Sequence, residues 1–199
     1  MKKKVVKKTT LDDYSDLMVH EIKDLDYLNL NKIINSIWSA YIDGRRMYFA
    51  GNGGSASLAS HMAADLGKNT TKDHKNGFEN RLNTISLCDN VAWISAISND
   101  MSYDDIFVEQ LKSHATKPGD VLIIISGSGN STNIIKAAVW AREHQLYLIG
   151  ILGFDGGFVK NLLDLSLIVK SANYGIVESM HSFIHHYIVE YIKMRKREE

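Results

Sequence analysis

Cysteine and proline are nearly absent from this chain of 199 residues, with one of each. Cys88 alone cannot form an internal disulfide, and a lone thiol suits a reducing compartment, so the cytoplasm is the expected location. Net charge is missing too: Lys+Arg and Asp+Glu stand at 23 each. No global field therefore directs the chain toward nucleic acid or an anionic membrane surface, and neither is expected as a partner. The opening MKKKVVKKTT is basic, but no apolar stretch follows that could serve as a signal core or a spanning helix. It is read as a solvated, frayed terminus. The basic end KMRKRE falls where cations favour a helix C-terminus.

What is present is an ordinary globular composition, 45% hydrophobic, enough for one domain over 1–199 with a sizeable core. A Pro-free segment from Asp12 to about Asp43 carries Leu17, Ile22, Leu25, Leu28, Ile33, Ile34, Ile37 and Trp38 at helical spacings. It predicts a helical arm over about 11–43, broken near Asn29 and Asn31 and stopped at Gly44. From about 46 to 199 strands and helices alternate. RRMYFA leads into a glycine-rich turn and a helix ending at Gly67; a long polar loop, KNTTKDHKNGFENR, follows. Leu82 to Leu87 reads as a strand, with helices over Val91 to Ile97 and near Asp104 to His114. DVLIII, Leu146 to Leu152 and Leu165 to Val169 are further strands, and Tyr174 to Arg197 a terminal helix. This order predicts an α/β protein with a mainly parallel sheet flanked by helices on both faces.

In such sheets ligands sit beyond the carboxyl ends of the strands, where helix N-termini offer amides to anions. Two polar turns occupy that position. Ser126, Gly127, Ser128, Gly129, Asn130, Ser131 and Thr132 gather hydroxyls and flexible amides around one point, which suits a phosphate monoester; the structural alternative is a simple helix cap. Asn52, Gly53, Gly54 and Ser55 suit a polyol, with the glycines letting backbone approach it. Gly51, Gly53 and Ala56 also fit G-x-G-x-x-A, but no second strand bearing an acidic residue follows, and no G-K-[ST] completes a P-loop. No nucleotide cofactor is expected.

Together AGNGGSASLASHMAADL, ISND, SGSGNS and YGIVESMHSFIHH resemble the sugar isomerase (SIS) domain family, and within it the phosphoheptose isomerase branch. The resemblance implies a single SIS domain: a five-stranded parallel sheet in a flavodoxin-like three-layer sandwich with an N-terminal helical arm. It also implies a homotetramer and interconversion of sedoheptulose 7-phosphate with D-glycero-D-manno-heptose 7-phosphate, supplying heptose for lipopolysaccharide or capsule. Phosphate contacts fall on Ser126, Gly127, Ser128 and Ser131, with Gly127 where relatives often carry threonine. Sugar contacts fall on Asn52, Gly53, Gly54, Ser55, Asn99 and Asp100, with Asp65 and Glu178 at the reacting end. A non-catalytic sugar-phosphate sensor or regulator, or an isomerase of a different phosphosugar, is the competing expectation.

Aldose and ketose phosphates interconvert through an enediol when one group removes a proton beside the carbonyl and another manages the oxygen protons. His61 and Asp65, four apart, share a helix face. The resemblance implies acid/base roles for Asp65, His186 and Glu178 and a zinc site of His61, Asp65, Glu178 and His186. Asp65 replaces the branch's glutamate, shorter by about 1.5 Å of chain, and Glu178 replaces its glutamine. Two carboxylates would neutralise the dication and weaken its pull on a carbonyl. Helical geometry leaves the choice of ligand on the last helix open, because seven residues from Glu178 reaches His185, closer to one face than His186 at eight.

Overall fold

The computed structural model describes residues 10–72, 79–114 and 116–198. The lysine-rich opening lies outside them, as does the middle of the polar loop near Asp73 to Arg81. Seven α-helices and five strands follow in order: α1 (Leu11–Lys23), α2 (Tyr27–Ile42), β1 (Arg46–Ala50), α3 (Gly54–Ala64), β2 (Asn83–Ser86), α4 (Val91–Asp100), α5 (Ile106–Ser113), β3 (Val121–Ser126), α6 (Thr132–Glu143), β4 (Tyr147–Gly153), β5 (Leu165–Val169) and α7 (Tyr174–Glu198).

The sheet is wholly parallel, in the order β2-β1-β3-β4-β5. Strand side chains alternate between faces, and the sequence exploits this. Phe49, Ile123, Ile151 and Leu167 pack with Ile34 and Ile37 of α2, Met62 of α3 and Ile184 and Ile188 of α7. Tyr48, Leu122, Ile124 and Leu152 pack on the other face with Phe107 of α5 and Ile134, Ala137 and Ala138 of α6. Apolar residues on both faces explain why β3 reads as a continuous hydrophobic run; all six of its positions are buried. Truncating one of its isoleucines to alanine would cost about 2–5 kcal/mol.

The arm forms as two helices, but the break falls at 24–26 rather than at Asn29 and Asn31. Asp26 decides it, because its side chain accepts the Asn29 amide at 3.0 Å and caps α2. Gly44 terminates α2 with φ +64°, as expected for a C-terminal stop. The basic end of α7 has a packing role beyond the dipole. Lys196 is buried, its Nζ 3.0 Å from both Glu79 Oε1 and the Asn80 carbonyl. Glu79 Oε1 also accepts the Lys72 amide at 2.8 Å, so one carboxylate ties both flanks of the polar loop to α7.

The strand order reverses between β1 and β3, whose carboxyl ends are adjacent. In a sheet of this order that is the topological switch point where ligands bind. The two polar turns, after β1 and after β3, stand on either side of it.

Candidate active site

The two turns are tied to each other by amides. Asn52 Nδ2 donates to Asn133 Oδ1 at 2.9 Å, Asn133 Nδ2 donates back to Asn52 Oδ1 at 2.9 Å, and the Tyr103 hydroxyl donates to Asn52 Oδ1 at 2.9 Å. Asn52 therefore fixes the register of the two loops. Asn133 and Tyr103 were not singled out from sequence; only their position after a candidate turn and after the Asn99–Asp100 pair could have marked them. Asn99 and Asp100 end α4, exposed, with Asn99 Nδ2 donating to Asp100 Oδ1 at 2.8 Å. The next few residues bring Tyr103 to the switch point.

The two helices that face the site begin without a side-chain cap, as α5 also does. Thr10, Asp26 and Asn90 cap α1, α2 and α4 through their side chains, whereas α3 and α6 begin with no side-chain cap. In α3 the Ser55 and Ala56 amides turn to the Asn52 and Gly53 carbonyls, and in α6 the Ile134 amide donates to Asn133 Oδ1, which leaves the Gly54 amide of α3 and the Thr132 and Asn133 amides of α6 for another partner. Ser131 is the N-cap residue of α6, yet its hydroxyl makes no capping bond, so the simple helix-cap reading fails for it. Ser126 Oγ accepts the Gly129 amide at 3.0 Å and Ser128 Oγ accepts the Asn130 amide at 3.3 Å. These bonds pre-form the turn. Ser126 is buried, while Ser128 and Ser131 are half-buried and reachable.

Gly127 has a specific neighbour. A Cβ at this position would meet Tyr174 Cε1 at 2.7 Å, and the Tyr174 ring is held edge-to-face on Phe154 with centroids 4.7 Å apart. The space that a threonine would use is filled by an aromatic ring from the first turn of α7. Asn173 caps that helix, its Oδ1 accepting the Gly175 amide at 2.9 Å.

One turn further along α7, Glu178 faces the start of α3. A Cβ at Gly54 would lie 2.7 Å from Glu178 Oε1, so the carboxylate rests directly on the uncapped helix N-terminus, where negative charge is favoured. Gly53 adopts φ +56°, the left-handed region that makes glycine the fitting residue at this bend. Gly54, Ser55, Ser57, Leu58, His61, Glu178, His181 and Ser182 line a cleft of about 240 Å³. The 126–131 turn does not line this cleft; Tyr174, one turn before Glu178 on α7, packs on Gly127. Behind β1, the Cys88 thiol donates to the Gly51 carbonyl at 3.4 Å, and burial raises its pKa.

On the far side of His61 lies a second cluster. α3 continues as a π-helical turn, Asp65–Asn69, of the kind that often marks functional sites. Asn69 Nδ2 donates to Asp65 Oδ1 at 2.6 Å. The other oxygen, Oδ2, lies 3.3 Å from His61 Nε2, 3.1 Å from His185 Nε2 and 3.9 Å from His186 Nδ1. His185 is fully buried, and burial, then His186 and His61, lower its pKa to about 4. The ring of His186 stacks on that of His185 at 4.3 Å. Of the expected metal set, His61, Asp65 and His186 are together; Glu178 is not with them, because it sits about two turns back along α7, against Gly54.

The donor chemistry suits a metal. Donor atoms of His61, His185 and His186 all lie within 4.8 Å of one another, and Nδ1 of buried His185 has no hydrogen-bond partner among the described residues. Imidazole nitrogens and a carboxylate oxygen are donors that zinc would accept here.

A search against protein families matches the SIS domain over residues 12–153. Phosphoheptose isomerase of Clostridium acetobutylicum is 38% identical over 173 residues, 86% of this chain and 85% of that protein. Probable phosphoheptose isomerase of Thermoplasma acidophilum is 39% identical over 164 residues, 81% of this chain and 87% of that one. Among solved structures, phosphoheptose isomerase GmhA from Neisseria gonorrhoeae superposes with a TM-score of 0.81 at 25% identity, covering 92% of this chain and 96% of that one. The chain belongs to the SIS domain family and, within it, to the phosphoheptose isomerases.

Proposed function

We propose that this protein interconverts sedoheptulose 7-phosphate and D-glycero-D-manno-heptose 7-phosphate. The observation that carries the reading is the placement of Glu178: its carboxylate lies in a cleft at the head of α3, one turn of α7 from the tyrosine that packs on the hydroxyl-rich turn. A phosphosugar then has one place for each end. Its phosphate is held by Ser126, Gly127, Ser128 and Ser131 with the free amides of α6, and its polyol by Asn52, Gly53, Gly54, Ser55, Asn99 and Asp100. The carbonyl end lies by Glu178.

Glu178 takes the proton from the carbon beside the carbonyl and returns it to the neighbouring carbon, giving the enediol between. Asp65 lies among imidazoles rather than in the cleft wall, so the proton-transfer role passes from it to Glu178. Its part is to hold His61 and His186, and His186 shuttles the oxygen protons. Zinc held near His61, Asp65 and His186 would fix the orientation of His186 and add positive charge beside the cleft.

The chain is assigned as one SIS domain over 1–199, acting in the cytoplasm and feeding lipopolysaccharide or capsule synthesis. No helix among the described residues is long and apolar enough to cross a membrane. The homotetramer is carried over from the family resemblance; an exposed apolar stripe on α7, formed by Phe183, Tyr187, Tyr191 and Met194, supports association of copies, being of the kind that marks protein interfaces. Incubation of the purified protein with sedoheptulose 7-phosphate, followed by chromatography of the sugar phosphates, should show aldoheptose 7-phosphate, and His186→Ala should abolish it. Binding without product at high protein concentration would replace the isomerase with a sugar-phosphate sensor.

A further inference from the structure

The family pattern and the fold disagree over the fourth metal ligand. We propose that zinc is held by His61, Asp65, His185 and His186, with Glu178 outside its shell. The ligand set stands on geometry alone; the assignment of Glu178 to the substrate rests on the isomerase reading above.

His185 is the reason. Its imidazole is 0% exposed; Nδ1 has no hydrogen-bond partner among the described residues, and Nε2 has the Asp65 carboxylate beside it. A buried nitrogen left without a hydrogen bond is costly and calls for an explanation. Its Nε2 approaches Asp65 Oδ2 at 3.1 Å, and the residue belongs to the same group of donors as His61 and His186. Asn69 occupies the other oxygen of Asp65 at 2.6 Å, leaving Oδ2 as the free ligand atom, oriented as outer-shell partners commonly do. Glu178, by contrast, already rests on the head of α3 beside Gly54.

Charge favours the same set. Three neutral imidazoles and one carboxylate leave a zinc ion with a net positive charge, whereas the set containing Glu178 neutralises it. Both changes from the branch pattern then have one meaning: the carboxylate on α7 has moved from metal to substrate, and a histidine takes the vacated coordination position. Nitrogen-rich tetrahedral sets are well matched to zinc.

The test uses zinc itself as probe. X-ray absorption at the zinc edge of the wild-type protein loaded with one equivalent should report three imidazoles and one carboxylate oxygen; two imidazoles with two carboxylates would overturn the proposal, as would failure to bind zinc. Competition with a chromophoric chelator should give Glu178→Gln an affinity within a few-fold of wild type. His185→Leu should lose more than the roughly 100-fold that removal of an outer-shell partner costs. Zinc should raise the melting temperature of wild type and Glu178→Gln and leave His185→Leu unchanged; retention of zinc by His185→Leu, or its loss by Glu178→Gln, contradicts the assignment. Should His185→Leu not fold, the wild-type absorption spectrum decides. If zinc binds as described and no isomerisation occurs, the ligand set stands and only the reaction falls.

Discussion

The turn after β3 and the imidazole cluster beside α3 are built on opposite principles. In the turn, neutral hydroxyls and amides satisfy one another: Ser126 holds the Gly129 amide and Ser128 the Asn130 amide. In the cluster, three histidines converge on a single carboxylate oxygen, and the buried Nδ1 of His185 has no hydrogen-bond partner among the described residues. A pre-satisfied turn grips a group that does not change during reaction. Ionisable side chains placed where their protonation is sensitive belong where charge moves. The difference assigns the two ends of the substrate without reference to its identity.

If that division is right, perturbing the ionisable end should change turnover and perturbing the turn should change affinity. After the abolition expected for His186→Ala, the largest effect is expected for Glu178→Gln, with kcat reduced about 1000-fold, within the range that general acid/base groups contribute, and KM changed only a few-fold. Steady-state rates with the ketoheptose phosphate read both. A loss confined to KM would move Glu178 from proton transfer to binding.

The next effect concerns stability at the ionisable end. Burial lowers the pKa of His181 from 6.5 to about 4. The unfolded chain therefore takes up this proton first as the pH falls, so the stabilisation is complete above pH 6.5 and is lost between 6.5 and about 4. Integrated over that window the loss is about 3 kcal/mol. Urea unfolding at several pH values should show His181→Leu with a visibly shallower acid slope than wild type; an equal slope would mean that His181 is hydrated and titrates normally.

Smaller again is the double change Ser128→Ala with Ser131→Ala. Hydrogen bonds to a charged group contribute about 1.5–3 kcal/mol each, so losing two should raise KM by at least roughly 100-fold while kcat falls far less, because the phosphoryl group does not react. Equal loss in both parameters would break the division. The smallest effect is predicted for Gly127→Ala, whose methyl group would press on Tyr174. A few-fold rise in KM should be relieved in the double variant Gly127→Ala with Tyr174→Ala.

Much of this architecture was legible in the residues. The two-sided apolar runs of β3 and β4 announced buried parallel strands, and the positions of Ser126 to Thr132 and Asn52 to Ser55 announced the turns at the switch point. What pattern could not supply was the direction of side chains at single positions. Asn29 and Asn31 looked like helix breakers, but Asp26, by capping, fixed the boundary. Asn133 lies inside a helix and only folding brings it to Asn52, 81 residues away. On α7, seven- and eight-residue spacings left His185 and His186 undecided; the π-helical turn at Asp65 and the stacking of the two rings bring both to the same carboxylate. Nor could spacing show that Glu178 rests on Gly54.

The most direct measurement is a nuclear magnetic resonance time course of sedoheptulose 7-phosphate with the purified protein in deuterium oxide. Proton transfer through an enediol predicts conversion to the aldoheptose phosphate with solvent deuterium appearing at the carbon next to the carbonyl. Intact starting material, with neither product nor deuterium incorporation while the sugar phosphate remains bound, would contradict the account.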